Sequence, residues 1–201
     1  MSKTAQGLRY GEVDRETGES CVRVVVDLDG GSRRDISTGI PFLDHMLAQL
    51  AFHGRIDFGV NAEGDLHVDD HHTVEDIGIC IGRAIQQAVL EDTIARYASN
   101  HTVMDDALVL VAMDFSGRGQ LHFDVPFKRE KIGELSTESI KEFFHAVAVN
   151  AGISLHIRKI AGENEHHVCE AVFKGFGLAL HEATRLVERQ GSTNSTKGRI
   201  G

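Results

Sequence analysis

Apolar and polar residues alternate along "VRVVVDLDG" at 22 to 30 and again along "LVLVAMDFSG" at 108 to 117, the period of two that predicts a half-buried strand. After each strand the period lengthens. "PFLDHMLAQLA" at 41 to 51, with Pro41 suited to a first helical turn, and "IKEFFHAVAVNAG" at 140 to 152 both carry helical spacing. Short strands are predicted next, at "RIDFGV" 55 to 60 and "ISLHIR" 153 to 158. Each leads to a longer helix, 71 to about 90 and 166 to about 188.

The two series match. Asp27 and Gly30 correspond to Asp114 and Gly117, and His45 to His145, and successive features lie 87, 100, 97 and 95 residues apart, a drift that small insertions and deletions produce. The expected architecture is therefore α+β. It is an internally duplicated unit of two mostly antiparallel sheets with helices packed on one face of each, related by pseudo-twofold symmetry. Each half is expected to run strand, strand, helix, strand, helix. The halves, about 9–98 and 99–191, make one domain, and "STNSTKGRIG" at 192–201 forms a C-terminal tail.

Charge narrows the partners. Thirty acidic against 21 basic residues leave a net charge of −9, with no polybasic block to meet nucleic acid or an anionic membrane. Small molecules or further copies of the chain are the expected partners. No apolar run reaches the roughly 20 residues of a membrane span, and "MSKTAQGLRYGEV" lacks the apolar stretch of a signal peptide, so a cytoplasmic location is expected. Cys21, Cys80 and Cys169 are odd in number and widely spaced in apolar surroundings, which predicts buried free thiols rather than disulfides.

The chemistry concentrates where the longer helices begin. "DDHHTVED" at 69 to 76 and "ENEHHVCEAVFKG" at 163 to 175 share the pattern His-His-x-x-Glu. Residues four apart lie on one helix face, whereas neighbours diverge by about 100°. His71 and Glu75 can thus converge on one point while His72 aims elsewhere; His166, Glu170 and His167 repeat the arrangement. Neutral imidazoles with carboxylates suit divalent transition metals. Pseudo-symmetry groups His71, Glu75, His145 and His167 on one metal, and His166, Glu170, His45 and His72 on the other, with some ligands free to come from a neighbouring subunit. A two-metal hydrolase and a metal-assembled storage shell remain alternatives on this reading. His53, His67, His101, His122, His156 and His181 carry weaker signals: His53 caps its helix or reaches the rim of the site, and surface or packing roles suit the others.

"GIPFLDHMLAQLAFHG", "DDHHTVEDIGI", "LHIRKIAGENEHHVCEAVFKGFGLAL" and the terminal "STKG" occur in an order that resembles the imidazoleglycerol-phosphate dehydratase family, from about Arg9 to Gly198. The resemblance implies a lyase (hydro-lyase) of histidine biosynthesis that converts imidazoleglycerol phosphate to imidazoleacetol phosphate, with two manganese ions (Mn2+) per active site. It also implies a homo-oligomer of 24 subunits built from trimers, with active sites at subunit interfaces. Its metal ligands fall on His45, His72, His166 and Glu170, and on His71, Glu75, His145 and His167, the same sets that the helix faces give. Its substrate-binding positions fall on Glu19, Gln49, His53, Arg96, Arg118, Lys174, Ser195, Thr196 and Lys197, with His45 also at the substrate. Guanidinium forks, lysine and hydroxyl donors suit a phosphate dianion. The expected course is a metal-held imidazolate that expels hydroxide to give a diazafulvene-like intermediate and then loses a proton from the neighbouring carbon, with Glu19 as the acid or base. Glu75 and Glu170 are committed to metal by their histidines.

Overall fold

The computed structural model describes residues 9–31, 33–89 and 94–187. The first half contains β1 (Tyr10–Glu16), β2 (Ser20–Asp27), β3 (Arg34–Ser37), α1 (Pro41–Gly54), β4 (Asp57–Gly64) and α2 (His71–Ala88). The second contains β5 (Tyr97–Met104), β6 (Ala107–Asp114), β7 (Gln120–Asp124), a small ribbon of β8 (Lys131–Ile132) and β9 (Leu135–Ser136), then α3 (Thr137–Ala151), β10 (Ser154–Ala161) and α4 (Glu165–Ala183). Ahead of its first helix the first half thus has one strand more than the pattern predicted, and the second half one sheet strand more plus the two-stranded ribbon. β3 is only four residues long and its burial does not alternate, so it left no period-two signal.

The sheets run β1-β2-β4-β3 and β5-β6-β10-β7. In both, the first three strands pair antiparallel and the last pairs parallel, so the architecture is α+β with two mixed, mostly antiparallel sheets. Registers repeat along with order: Tyr10 faces Asp27 in the first sheet and Tyr97 faces Asp114 in the second, each 87 residues on. The offset holds through β7 and becomes 97 at α3, because residues between β7 and α3 carry the extra β8–β9 ribbon. His45 is therefore matched by Glu142, and His145 lies one helical turn further on; the expected equivalence of the two histidines came from sequence spacing alone and does not hold in the structure. Both first helices end in a left-handed residue, Arg55 (φ 53°) and Gly152 (φ 67°), at matching positions.

Alternation puts Val22, Val24 and Val26 of β2 and Val109 and Val111 of β6 inward, all essentially buried. α2 lies on β1 and β2, α1 against β3, α4 on β5 and β6, and α3 against β7. The helices also pair across the halves, α1 with α4 and α2 with α3, so the four form a layer between the sheets. Phe143, Phe144, Phe173 and Phe176 stack at its centre with centroids 4.9 to 5.5 Å apart. Cys80 and Cys169 are buried as expected, whereas Cys21 is exposed because it takes an outward position on β2.

Glycine sets how closely the helices cross. A Cβ on Gly177 would collide with the backbone oxygen of Leu50, and one on Gly82 would lie 2.7 Å from that of Val147, the equivalent crossing in the other pair. Gly177→Ala is expected to lower stability by about 1–3 kcal/mol by forcing α1 and α4 apart. Gly18, with open space around its Cα, provides the control. Urea midpoints that match for Gly177→Ala and the parent would contradict this account.

Candidate metal centre

The segments leading into α2 and α4 deliver the two histidine motifs. At the start of α4, Asn164 caps the helix by accepting the His166 N–H at 3.0 Å, and Asp69 does the same for His71 in α2 at 2.9 Å. Asp70, the residue before α2, accepts from the backbone N–H and hydroxyl of Ser136 at 2.7 and 2.6 Å, tying that helix start to α3. Glu165, its counterpart at α4, accepts the backbone N–H groups of Lys128 and Arg129. Both carboxylates therefore pin the residues around the β8–β9 ribbon. Asp76 is buried against Arg15 (2.8 Å) and Ser20 (2.6 Å) and takes no part in the cluster.

His45, His166 and Glu170 come together: one donor atom from each lies within 4.8 Å of the others, the one such trio among the described residues. Glu170 Oε2 is 3.4 Å from His166 Nε2 and 3.9 Å from His45 Nε2. The edge of Phe42 rests against the His166 ring, at 5.2 Å between centroids. Glu170 is buried, and its other oxygen meets Lys174 Nζ at 2.6 Å. Burial opposes its ionisation, but the hydrogen bond and charge of Lys174, together with His45 and His166, outweigh it and hold the carboxyl below its ordinary value of 4.5. His53, one α1 turn beyond Gln49, is held below its ordinary value by burial first and by Lys174 second, so its imidazole stays neutral.

The other half is less closed. His71 Nε2 stands 4.0 Å from Glu75 Oε2, both partly exposed, and Ile79 occupies the place that Lys174 has in α4. His145 has its Nδ1 3.9 Å from Glu142 on its own helix. His72 and His167 turn away from their neighbours, as the helix geometry requires, with ring planes 82° and 86° from those of His71 and His166. His72 Nδ1 is 3.0 Å from Asp65 and 3.9 Å from Glu19. The Asp65 hydrogen bond is the main reason that His72 is raised above its ordinary value. His167 Nδ1 is 2.7 Å from Asp106. Asp65 and Asp106 were missed in the sequence, although Asp106 stands 87 residues after Glu19, at the matching hairpin turn.

The residues expected to receive an anion lie elsewhere in the chain. Arg96 donates its backbone N–H to Ala183 at the end of α4, thirteen residues past Glu170 and so roughly 20 Å along the helix. Its guanidinium is aimed by Asp114 (2.7 Å) and lies over Tyr97. Arg118 is exposed in the β6–β7 turn, where Gly117 packs on Gly152 beyond α3. Ser195, Thr196 and Lys197 lie outside the described residues. Burial pushes the Cys169 thiol above its ordinary range, which suits a packed thiol rather than a ligand.

Duplicated α+β halves, each with a His-His-x-x-Glu motif at the start of its second helix, define the class of protein. The chain belongs to the imidazoleglycerol-phosphate dehydratase family, whose model matches residues 38–180. The imidazoleglycerol-phosphate dehydratase of Acetivibrio thermocellus is 52% identical over 190 residues, covering 94% of this chain and 97% of that protein. That of Nitrobacter hamburgensis is 48% identical over 96% of this chain and 100% of its own. The Staphylococcus aureus enzyme structure matches with a TM-score of 0.80 at 36% identity, covering 89% and 99% of the two chains. The Pyrococcus furiosus structure, solved with (S)-C348, matches with a TM-score of 0.82 at 36% identity over 94% and 100%.

Because Glu170 is held below 4.5, its ionised form contributes stability that is fully present above that value and is lost as pH falls through the lower folded value. In metal-free protein, Lys174→Met is expected to be less stable than the parent at neutral pH, with the gap narrowing as pH falls through the lowered Glu170 value. Urea unfolding from neutral pH downward measures it. A gap independent of pH would mean that the Lys174 charge does not act through Glu170.

Proposed function

We propose that this chain removes water from imidazoleglycerol phosphate to give imidazoleacetol phosphate, the hydro-lyase step of histidine biosynthesis, with manganese as cofactor. The observation that carries the reading is the His45–His166–Glu170 trio in a chain about half identical, end to end, to enzymes of that name. Two imidazoles and a carboxylate within 4.8 Å are a donor set that suits a divalent transition ion. His45, His72, His166 and Glu170 would hold one ion, and His71, Glu75, His145 and His167 the other. When bound, manganese supplies Lewis acidity that stabilises negative charge developing on the substrate.

The chain's own residues supply the rest. Lys174 keeps Glu170 ionised, and so available as a ligand rather than as a base. Glu19 sits at the tip of the β1–β2 hairpin, exposed, with Oε2 3.9 Å from His72, and its carboxylate is the group we assign to the proton at the diol carbons. The reaction takes a proton from one carbon and hydroxide from its neighbour, and the resulting enol tautomerises to the ketone. Arg96 and Arg118 offer guanidinium forks to the phosphate, joined by Ser195, Thr196 and Lys197, while Gln49 and His53 line the same face of α1 as His45.

The backbone of Arg96 meets the end of α4 roughly 20 Å along that helix from Glu170, further than one small substrate bridges. The complete site is therefore assembled from several copies, which supports the homo-oligomer and, by family likeness, the 24-subunit assembly of trimers. No helix of the described residues is long and apolar enough to cross a membrane.

Manganese-loaded protein incubated with imidazoleglycerol phosphate is expected to form the ketone, to stop after chelation and to resume with added manganese. Protein that binds the ion and assembles without converting the substrate would instead be a storage shell. Glu19→Gln is expected to lower kcat about 10²–10⁴-fold with assembly intact. Mixing subunits tests the composite site: Glu170→Gln and Arg118→Ala chains, each inactive alone, should regain activity when co-assembled. Failure of every such mixture, with mixed assembly demonstrated, would place both groups in one chain's site.

A further inference from the structure

The two hairpin turns at matching positions in the halves carry different acids with different neighbours. In the β5–β6 turn, Asp106 Oδ2 accepts the backbone N–H groups of Glu163 and Asn164 at 2.7 and 3.1 Å, which locks the carboxylate onto the segment leading into α4. Its Oδ1 lies 2.7 Å from His167 Nδ1. An ionised carboxylate only accepts, so Nδ1 must carry the hydrogen. On the other side of the ring, Asn164 Nδ2 is 3.3 Å from His167 Nε2. The Asn164 carbonyl oxygen is already committed to the His166 N–H, so the amide turns its NH₂ toward the ring, and an NH₂ group only donates. Nε2 must then present its lone pair. Two separate contacts thus select one tautomer, against the pull of Asp105 Oδ2, which would favour a hydrogen on Nε2 but stands 3.5 Å away, beyond ordinary hydrogen-bond length.

We propose that Asp106 is a positioning residue that fixes His167 as the Nδ1–H tautomer, so that the Nε2 lone pair, on which the Asn164 NH₂ rests here, is given to a divalent cation when one displaces that amide. The proposal rests on the metal reading given under the proposed function. The first half solves the same problem differently. Asp65, at the end of β4, holds His72 Nδ1 at 3.0 Å, while Gly162 occupies the matching point of β10 and has no side chain to do so. Asp69 stands where Asn164 does in the second half. With Asp65 in the orienting role, the hairpin acid Glu19 remains 3.9 Å from the imidazole and is left for chemistry. The duplication has therefore split one position into a positioning acid and a reactive one.

The test uses full-length protein and Mn2+ alone. In metal-free parent labelled with ¹⁵N-histidine, His167, assigned by its loss in His167→Gln, should show a protonated Nδ1 and a bare Nε2. Asp106→Ala should shift it toward the mixture of tautomers of free imidazole and weaken the Mn2+ affinity measured by calorimetry by about 10–100-fold at the site that His167 serves. Asp106→Asn, which keeps an oxygen for the Glu163 and Asn164 N–H groups but loses the charge that holds the Nδ1 hydrogen, should move both readouts in the same direction and provides the second variant if Asp106→Ala does not fold. Parental tautomer and parental affinity in the folded variants would overturn the proposal alone. A parent that binds no Mn2+ would overturn the metal reading, and with it this role for Asp106.

Discussion

Adjacent residues on an α-helix point about 100° apart, and this constraint organises the rest of the molecule. Two neighbouring histidines at a helix start cannot serve one centre. His166 turns toward His45 and Glu170, while His167 turns toward Asp106, and the same division holds for His71 and His72. Each helix start thus sends its two imidazoles to different neighbours. The backbone of Arg96 meets the opposite end of α4, and its guanidinium is held by Asp114.

Duplication supplied the frame, and divergence made the halves unequal. Registers, left-handed helix ends and glycine crossings repeat, because they are set by backbone packing that both halves share. The chemistry does not repeat. Glu170 is buried against Lys174, whereas Glu75 is partly exposed with Ile79 in the lysine's place. A carboxylate that is already buried, ionised and held near two imidazoles is pre-arranged for a cation before any cation binds. The Glu75 cluster is looser, with His71 and Glu75 both partly exposed and 4.0 Å apart.

The helices and the duplication were legible in the sequence because the periods are strong and occur twice. Their predicted spans, 71 to about 90 and 166 to about 188, overran the observed ends at Ala88 and Ala183 by a few residues. β3 and β7 were not read: four and five residues give too little alternation, and they pair in parallel with β4 and β10, far from their chain neighbours. Cys21 was misread because apolar neighbours along the chain do not fix which face of a strand a residue takes.

The sequence by itself determined which residues could share a direction, since i to i+4 geometry on a helix is local. It thereby paired His71 with Glu75 and His166 with Glu170. Only the tertiary structure decided what lies beside those pairs. Asp65 and Asp106 reach His72 and His167 from a strand end and a hairpin turn, and Asp70 spends its carboxylate on Ser136 rather than on an imidazole. Such contacts depend on how strands and helices stack, a long-range outcome of burying two sheets against one helical layer, and no local pattern in the chain records it.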